Sequence, residues 1–191
     1  QVLSHQGKAL GIATMSPNTL ICARLVNRDI SHGLNKSLLV HRIKQALSLR
    51  ETCFNEPFYR LVYGESDLLP GLVVDRFGDY CVVQLSTSGM EAVKGEVVEA
   101  LVQCLKPKGI LLRNDHGARS MEGLPEYVEV AYGEVPEEVE LIENGARFMA
   151  PLSGGQKTGW FYDHRMNRAQ LQQYVGGKRV LDVFSYIGGW G

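Results

Sequence analysis

The residues best suited to chemistry lie at the end of the chain. Val180-Leu181-Asp182-Val183-Phe184 is a short apolar run of the kind that forms a buried strand. Ser185-Tyr186-Ile187-Gly188-Gly189-Trp190-Gly191 follows it directly. A strand carrying an acid and running into a glycine-rich turn suits a nucleotide-like ligand, because glycine lacks the Cβ that would hold the backbone away from it. Asp182 is placed to receive an ammonium group. Gly188, Gly189 and Gly191 do not follow the G-x-G-x-x-G spacing of dinucleotide sites, which argues against NAD and FAD. A plain strand-to-turn transition in any α/β protein would leave a similar trace, so the loop alone leaves both readings open.

The segment Gln156-Lys157-Thr158-Gly159-Trp160-Phe161-Tyr162-Asp163-His164-Arg165 packs donors, an acid and aromatics into a short space. Aromatic faces stack on adenine and attract cations, a sulfonium among them. Asp163 is expected to cap a helix over 164–175. Arg165 and Arg168, on adjacent turns, are expected to reach a phosphate or to pair with Asp163.

The elements that position these groups follow from periodicity and turn chemistry. Leu10–Ala13 and Leu20–Val26 read as strands flanking the turn Ser16-Pro17-Asn18. Leu39, Ile43, Ala46 and Leu47 recur at helical spacing, predicting a helix over 36–52 whose polar face carries Lys36, Arg42 and Lys44. Leu72–Val74 and Tyr80–Leu85 read as a hairpin around Phe77-Gly78-Asp79. A helix is expected over 90–105, stopped by Pro107 and Gly109. A strand over 110–113, a loop from Asn114 to Pro125 and short strands near 127–132, 140–142 and 147–150 complete the reading. In the block Gly64-Glu65-Ser66-Asp67, turn chemistry explains the acids better than RNA contact does.

Composition fits a folded chain: 191 residues, 45% hydrophobic and 21% charged, with a net charge of −1. No apolar run reaches the ~20 residues of a membrane span, and nothing at the N-terminus reads as a signal peptide. The charge is unevenly distributed. Residues 1–50 hold seven Lys or Arg against the single acid Asp29, residues 51–149 hold eight against eighteen acids, and residues 150–191 hold five against two. The basic front suits phosphates, with Arg24, Arg28, Lys36, Arg42 and Lys44 as candidate RNA contacts; a solvated helix face would look similar. Cys22, Cys53, Cys81 and Cys104 are far apart, so no metal site is expected and all four read as packing residues in a reducing cytoplasm.

On these residues a family resemblance becomes specific. GQKTGWFYDHRMNR followed by RVLDVFSYIGGWG resembles the cofactor entry of bacterial rRNA methyltransferases. YRLVYGESDLLPGLVVDRFGDYCVVQL resembles the central domain of one branch, the large-subunit rRNA cytosine-C5 methyltransferases that carry an N-terminal PUA domain. HQGKALGIATMSP and ICARLVNRD are similar to the second half of that PUA domain. The resemblance implies an α/β chain of several modules: a partial PUA-like β module and linking helix at 1–50, a small central α/β domain at 51–150, and the start of a Rossmann-like methyltransferase domain at 151–191. It implies S-adenosylmethionine as cofactor and an RNA cytosine as methyl acceptor. Lys157, Thr158, Phe161, Asp163 and Arg165 would fold over the cofactor, and Asp182, Phe184, Ser185, Gly188 and Gly189 would line its loop. The expected partner is large-subunit ribosomal RNA in the cytoplasm, with no membrane, and a homodimer is left open.

The chemistry of that branch needs a thiolate. C5 of cytosine is a poor nucleophile until a thiolate adds at C6, and the base must be unpaired or flipped to be reached. None of the four cysteines has the context of that nucleophile. The resemblance therefore places the catalytic cysteine, the ribose-binding acid and an Asp-Pro-Pro segment downstream of Gly191, and implies that these 191 residues alone transfer no methyl group. Methylation of another base atom, such as guanine N7, and a non-catalytic RNA-binding module are the alternatives.

Overall fold

Helix α1 (Lys36–Cys53) starts where the Asn35 side chain accepts a hydrogen bond from the Leu38 amide at 3.0 Å, satisfying one donor that the first turn cannot. In the computed structural model, which describes residues 1–190, Leu39, Ile43 and Ala46 form the buried stripe of this helix. Arg42 falls on the same stripe rather than on the polar face expected for it. The spacing already contains the reason, because 39, 42, 43 and 46 are one helix face.

The stripe packs on a five-stranded sheet ordered β4 (Phe58–Tyr63), β5 (Leu72–Phe77), β6 (Tyr80–Leu85), β7 (Gly109–Asn114) and β8 (Tyr127–Gly133). Only β6 and β7 run parallel; the other neighbours are antiparallel. The parallel pair needs a crossover, which is made by α2 (Ser88–Ala92) and α3 (Lys94–Leu105). The single helix expected over 90–105 is thus two, parted at Val93. Thr87 caps α2 by accepting from the Met90 amide. The chain leaves α3 through Lys106 in the left-handed region, just ahead of Pro107. Val97, Ala100 and Leu101 of α3 join Leu39 and Ile43 of α1 over Leu72, Val74, Val83, Leu85, Ile110 and Leu112 of the sheet.

A three-stranded antiparallel sheet precedes this core: β1 (Val2–Leu3), β2 (Ala9–Met15) and β3 (Ala23–Asn27). The loop expected from Asn114 to Pro125 contains one helical turn, α4 (Ala118–Met121). Further on, β9 (Glu138–Glu143) and β10 (Ala146–Pro151) form a hairpin, followed by α5 (Arg165–Val175). The chain forms two compact units, Gln1–Val135 and Pro136–Gly191. The boundaries expected near 50 and 150 fall inside α1 and inside β10. The sequence patterns changed at those points, but α1 is buried against the sheet and cannot be divided from it.

Asp67 of the Gly64–Asp67 turn serves the fold, as turn chemistry suggested, whereas Glu65 is exposed. Asp67 holds Arg50 through two hydrogen bonds of 2.6 and 2.7 Å and accepts from the Tyr63 amide. Asp75, fully buried, holds Arg60 in the same two-pronged manner at 2.8 and 2.9 Å.

Two expectations are corrected. Residues 180–184 form no strand, and Leu181 is 85% exposed. An apolar strand of the parallel type needs hydrogen-bonded neighbours and cover on both faces, and no described residues supply them. Cys22 and Cys53 are exposed, so they are not packing residues. Cys81 is buried, and burial pushes its thiol up to about 12. Since the thiolate is the reactive form, Cys22 and Cys53 should react at once with a disulfide reagent at pH 8, with Cys104 slower and Cys81 reacting only after denaturant is added. A Cys81 that labels as fast as Cys22 would show that this strand opens readily.

Candidate functional site

Phe161 and Tyr186 meet edge to face with ring centres 5.9 Å apart, which brings the segment at 156–165 onto the glycine-rich loop. The Tyr186 hydroxyl secures the contact by accepting from the Gln156 amide at 3.0 Å and donating to the Gly159 carbonyl at 3.3 Å. Lys157 lies with its ammonium 4.7 Å from the centre of the Phe161 ring. Phe161, Phe184, Ser185 and Gly189 share one cavity of about 200 Å³ with Trp160 and Tyr186. Four of the ten expected cofactor residues are therefore assembled around one hollow. Thr158 is fully buried just before it.

The loop is unusually curved. Phe184, Tyr186 and Gly188 all have positive φ, at 62°, 55° and 73°. The Gly188 amide closes the turn on the Ser185 carbonyl at 2.9 Å. Glycine adopts such a φ freely, whereas the two aromatics do so at a cost. A Cβ on Gly189 would lie 2.9 Å from the Trp160 ring, so only glycine allows this approach. Gly191, the last glycine of the loop, lies outside the described residues.

Asp182 is the one acid in this region whose chemistry is incomplete. Its Oδ2 is enclosed and has no hydrogen-bond partner among the described residues. A buried acceptor without a donor costs free energy unless something supplies one. An ammonium or hydroxyl from a bound molecule would do so, and the residues present therefore fit a cofactor with an amino-acid moiety.

The arginines of α5 behave differently from expectation. Asp163 points to solvent, near His164 at 4.0 Å, and makes no capping bond; α5 begins without a side-chain cap. Arg165 and Arg168 pair instead with Glu143, at 3.3 and 2.6 Å. Glu143 also accepts from the Trp160 indole N–H at 2.9 Å. The sequence reading missed Glu143. It lies at the end of β9, just before the Asn144-Gly145 turn, and nothing local marks it out from the other acids of that stretch.

The expected RNA contacts divide in a similar way. Arg42 is buried and donates to the Val26 and Leu68 carbonyls, so its guanidinium serves the fold and is removed from the RNA set; burial lowers its pKa. Arg24 pairs with the buried Glu122 at 3.1 Å. Lys36 pairs with Glu99 at 2.7 Å on the surface. Arg28 and Lys44 are exposed. No helix among the described residues is long and apolar enough to cross a membrane, and none of them form a His, Cys, Asp and Glu cluster able to hold a metal ion.

The S-adenosylmethionine-dependent methyltransferase family matches residues 114–191. The whole chain is similar to the ribosomal RNA large subunit methyltransferase I of Aliivibrio fischeri, at 38% identity over 195 residues, and to that of Vibrio cholerae, at 40% over 194. Each alignment covers 100% of this chain and 49% of the relative, so the chain spans about half the length of the curated relatives it matches. Among solved structures, a candidate SAM-dependent methyltransferase from Streptococcus mutans superposes with a TM-score of 0.82 at 25% identity, covering 100% of this chain and 50% of that one. A second candidate methyltransferase, solved in complex with SAH, gives a TM-score of 0.83 at 25% identity, covering 100% and 49%.

Proposed function

We propose that this chain supplies the cofactor entry and an RNA-facing module of an S-adenosylmethionine-dependent methyltransferase that acts on large-subunit ribosomal RNA. The observation that carries the reading is the enclosed Asp182 oxygen, without a partner among the described residues, in the segment that leads into the left-handed Gly188 turn. The family match over 114–191 and the two ribosomal RNA methyltransferases point the same way. S-adenosylmethionine, when bound, supplies an electrophilic methyl group on a sulfonium.

The residues of the chain bind and orient. Asp182 receives the ammonium of the amino-acid moiety. Phe161, Phe184 and Tyr186 provide aromatic surface for the adenine and the cationic sulfur. Ser185 and Gly188 shape the turn, and Gly189 lets Trp160 close behind it. Lys157, Thr158, Asp163 and Arg165 belong to the covering segment. Arg24, Arg28, Lys36 and Lys44 carry the phosphate contacts, and the β1–β3 sheet is the PUA-like part of that surface. The acceptor is cytosine C5, a reading supported by the resemblance of the central segment to that branch. Such an enzyme works in the cytoplasm, where ribosomes are assembled.

Calorimetric titration of the chain with S-adenosylmethionine and with S-adenosylhomocysteine tests the cofactor assignment. Saturable binding of both at one site is expected; no heat with either at millimolar concentration would overturn it. In the longer protein that contains this chain, nucleoside analysis of methylated large-subunit rRNA should return 5-methylcytidine. Recovery of 7-methylguanosine would move the acceptor to guanine.

A further inference from the structure

Arg168 is nine-tenths buried, and its guanidinium lies over both indoles, 4.5 Å from the centre of the Trp160 ring and 5.7 Å from that of Trp190. These are the only tryptophans of the chain. Its Nε donates to Glu143 at 2.6 Å and its Nη2 to the Phe161 carbonyl at 2.8 Å. Glu143, also buried, is the common acceptor for Arg168, Arg165 and the Trp160 indole. One side chain thus connects the β9 end, the covering segment and the cofactor loop, of which Trp190 is part. His164 adds a further ring contact to Trp190 at 5.5 Å.

We propose that Glu143 and Arg168 are positioning residues for the cofactor loop: the carboxylate fixes the guanidinium edge-on, and the guanidinium holds Trp190, and with it the Gly188-Gly189 turn, in the shape that receives the cofactor. The inference rests on the assignment of the loop to S-adenosylmethionine. The physical case lies in what each group would lose alone. A buried guanidinium without its carboxylate is an uncompensated charge. Two aromatics of the loop sit at positive φ, a strained shape that needs support, and to the Gly188–Ser185 turn bond and the Tyr186 hydroxyl contacts the structure adds a cation stacked on the Trp190 ring. Arginine suits this role and lysine does not, because only the planar guanidinium stacks on rings while donating in its own plane.

The discriminating variants are Arg168→Lys, which keeps the charge and loses the plane, and Glu143→Gln, which keeps size and an acceptor and loses the charge. Trp160→Phe is a third, removing the indole donor to Glu143 and the part of the ring that closes against Gly189. Each is compared with the unaltered chain by calorimetric titration with S-adenosylmethionine, by acrylamide quenching of tryptophan fluorescence, and by far-ultraviolet circular dichroism as a check on folding. Arg168→Lys and Glu143→Gln should weaken cofactor binding by about tenfold or more and make the tryptophans more quenchable, with unchanged dichroism. Trp160→Phe should weaken binding by at least a few-fold, having lost one hydrogen bond and part of the ring stacked on Arg168. Binding at full strength in Arg168→Lys and Glu143→Gln, alongside normal binding by the unaltered chain, would overturn this inference and leave the cofactor assignment standing. Should Arg168→Lys or Glu143→Gln fail to fold, full-strength binding by a folded Trp160→Phe would overturn it in the same way. Absence of binding by the unaltered chain would overturn both.

Discussion

Asp182→Ala should weaken S-adenosylmethionine binding by about 1.5–3 kcal/mol, roughly ten- to hundredfold in Kd, while RNA affinity measured without cofactor stays as it was. The magnitude is that of a hydrogen bond to a charged group. It is expected in full because the Asp182 oxygen has no described partner inside the protein that could compensate. Gly188→Val should do at least as much damage for a different reason. Nothing lies within 4 Å of a Cβ built on Gly188, so the added side chain meets open space and not the protein. Its cost is conformational: at φ 73° a β-branched residue is a genuine outlier, at about 1–3 kcal/mol. Calorimetry with cofactor and gel shifts with an rRNA fragment separate the two properties. Full cofactor affinity in both variants would make the loop a structural turn only.

Arg119→Ala should lower the stability of the unit spanning Gln1–Val135 by about 3–5 kcal/mol, read as a shift in the urea midpoint followed by circular dichroism. Arg119 is fully buried. It donates to the Leu85 carbonyl, to the Pro125 carbonyl at 2.8 Å and to Glu91 at 2.9 Å, and stacks 5.0 Å from the centre of the Tyr127 ring. Truncation leaves two carbonyls and a carboxylate oxygen short of donors beside the ends of the parallel strands. Tyr127→Phe, which removes only the hydroxyl that donates to Glu91 at 2.8 Å, is the control and should cost about 1–2 kcal/mol. Equal midpoints for Arg119→Ala and the unaltered chain would mean that the guanidinium is balanced by nothing it touches.

Elements with a strong period were legible in the sequence. The hairpin at Gly78, the stripe of α1 and the strand at 110–113 form where periodicity and turn residues placed them. Legibility failed where partners distant in sequence decide the outcome. Arg42 looked like a surface cation because its charge outweighed its place on the apolar stripe, yet two carbonyls, from Val26 and Leu68, draw it inward. Asp163 had the right position to cap α5, but Glu143 took the arginines with which it was expected to pair. Residues 180–184 carry the composition of a buried strand, and composition cannot supply the neighbours that a strand needs. In the candidate site, the aromatics and glycines of the loop stood out by type and spacing, and Phe161, Phe184, Ser185 and Gly189 line one cavity. Glu143 was not, because its role exists only once β9 and α5 are side by side.

The single parallel pairing in the main sheet bears on how the chain must be made. β4, β5 and β6 are joined by short connections and can pair as they leave the ribosome, whereas β7 becomes available only after α2 and α3 have been synthesised. Until then β6, with Cys81, Val82 and Val83 in its middle, is a bare edge, although it ends as an interior strand. Exposed apolar edges recruit other strands. Slow translation across the crossover would prolong that exposure, so yield from a recombinant host should respond to codon choice over residues 86–108 more than to codon choice in the two units' exposed loops.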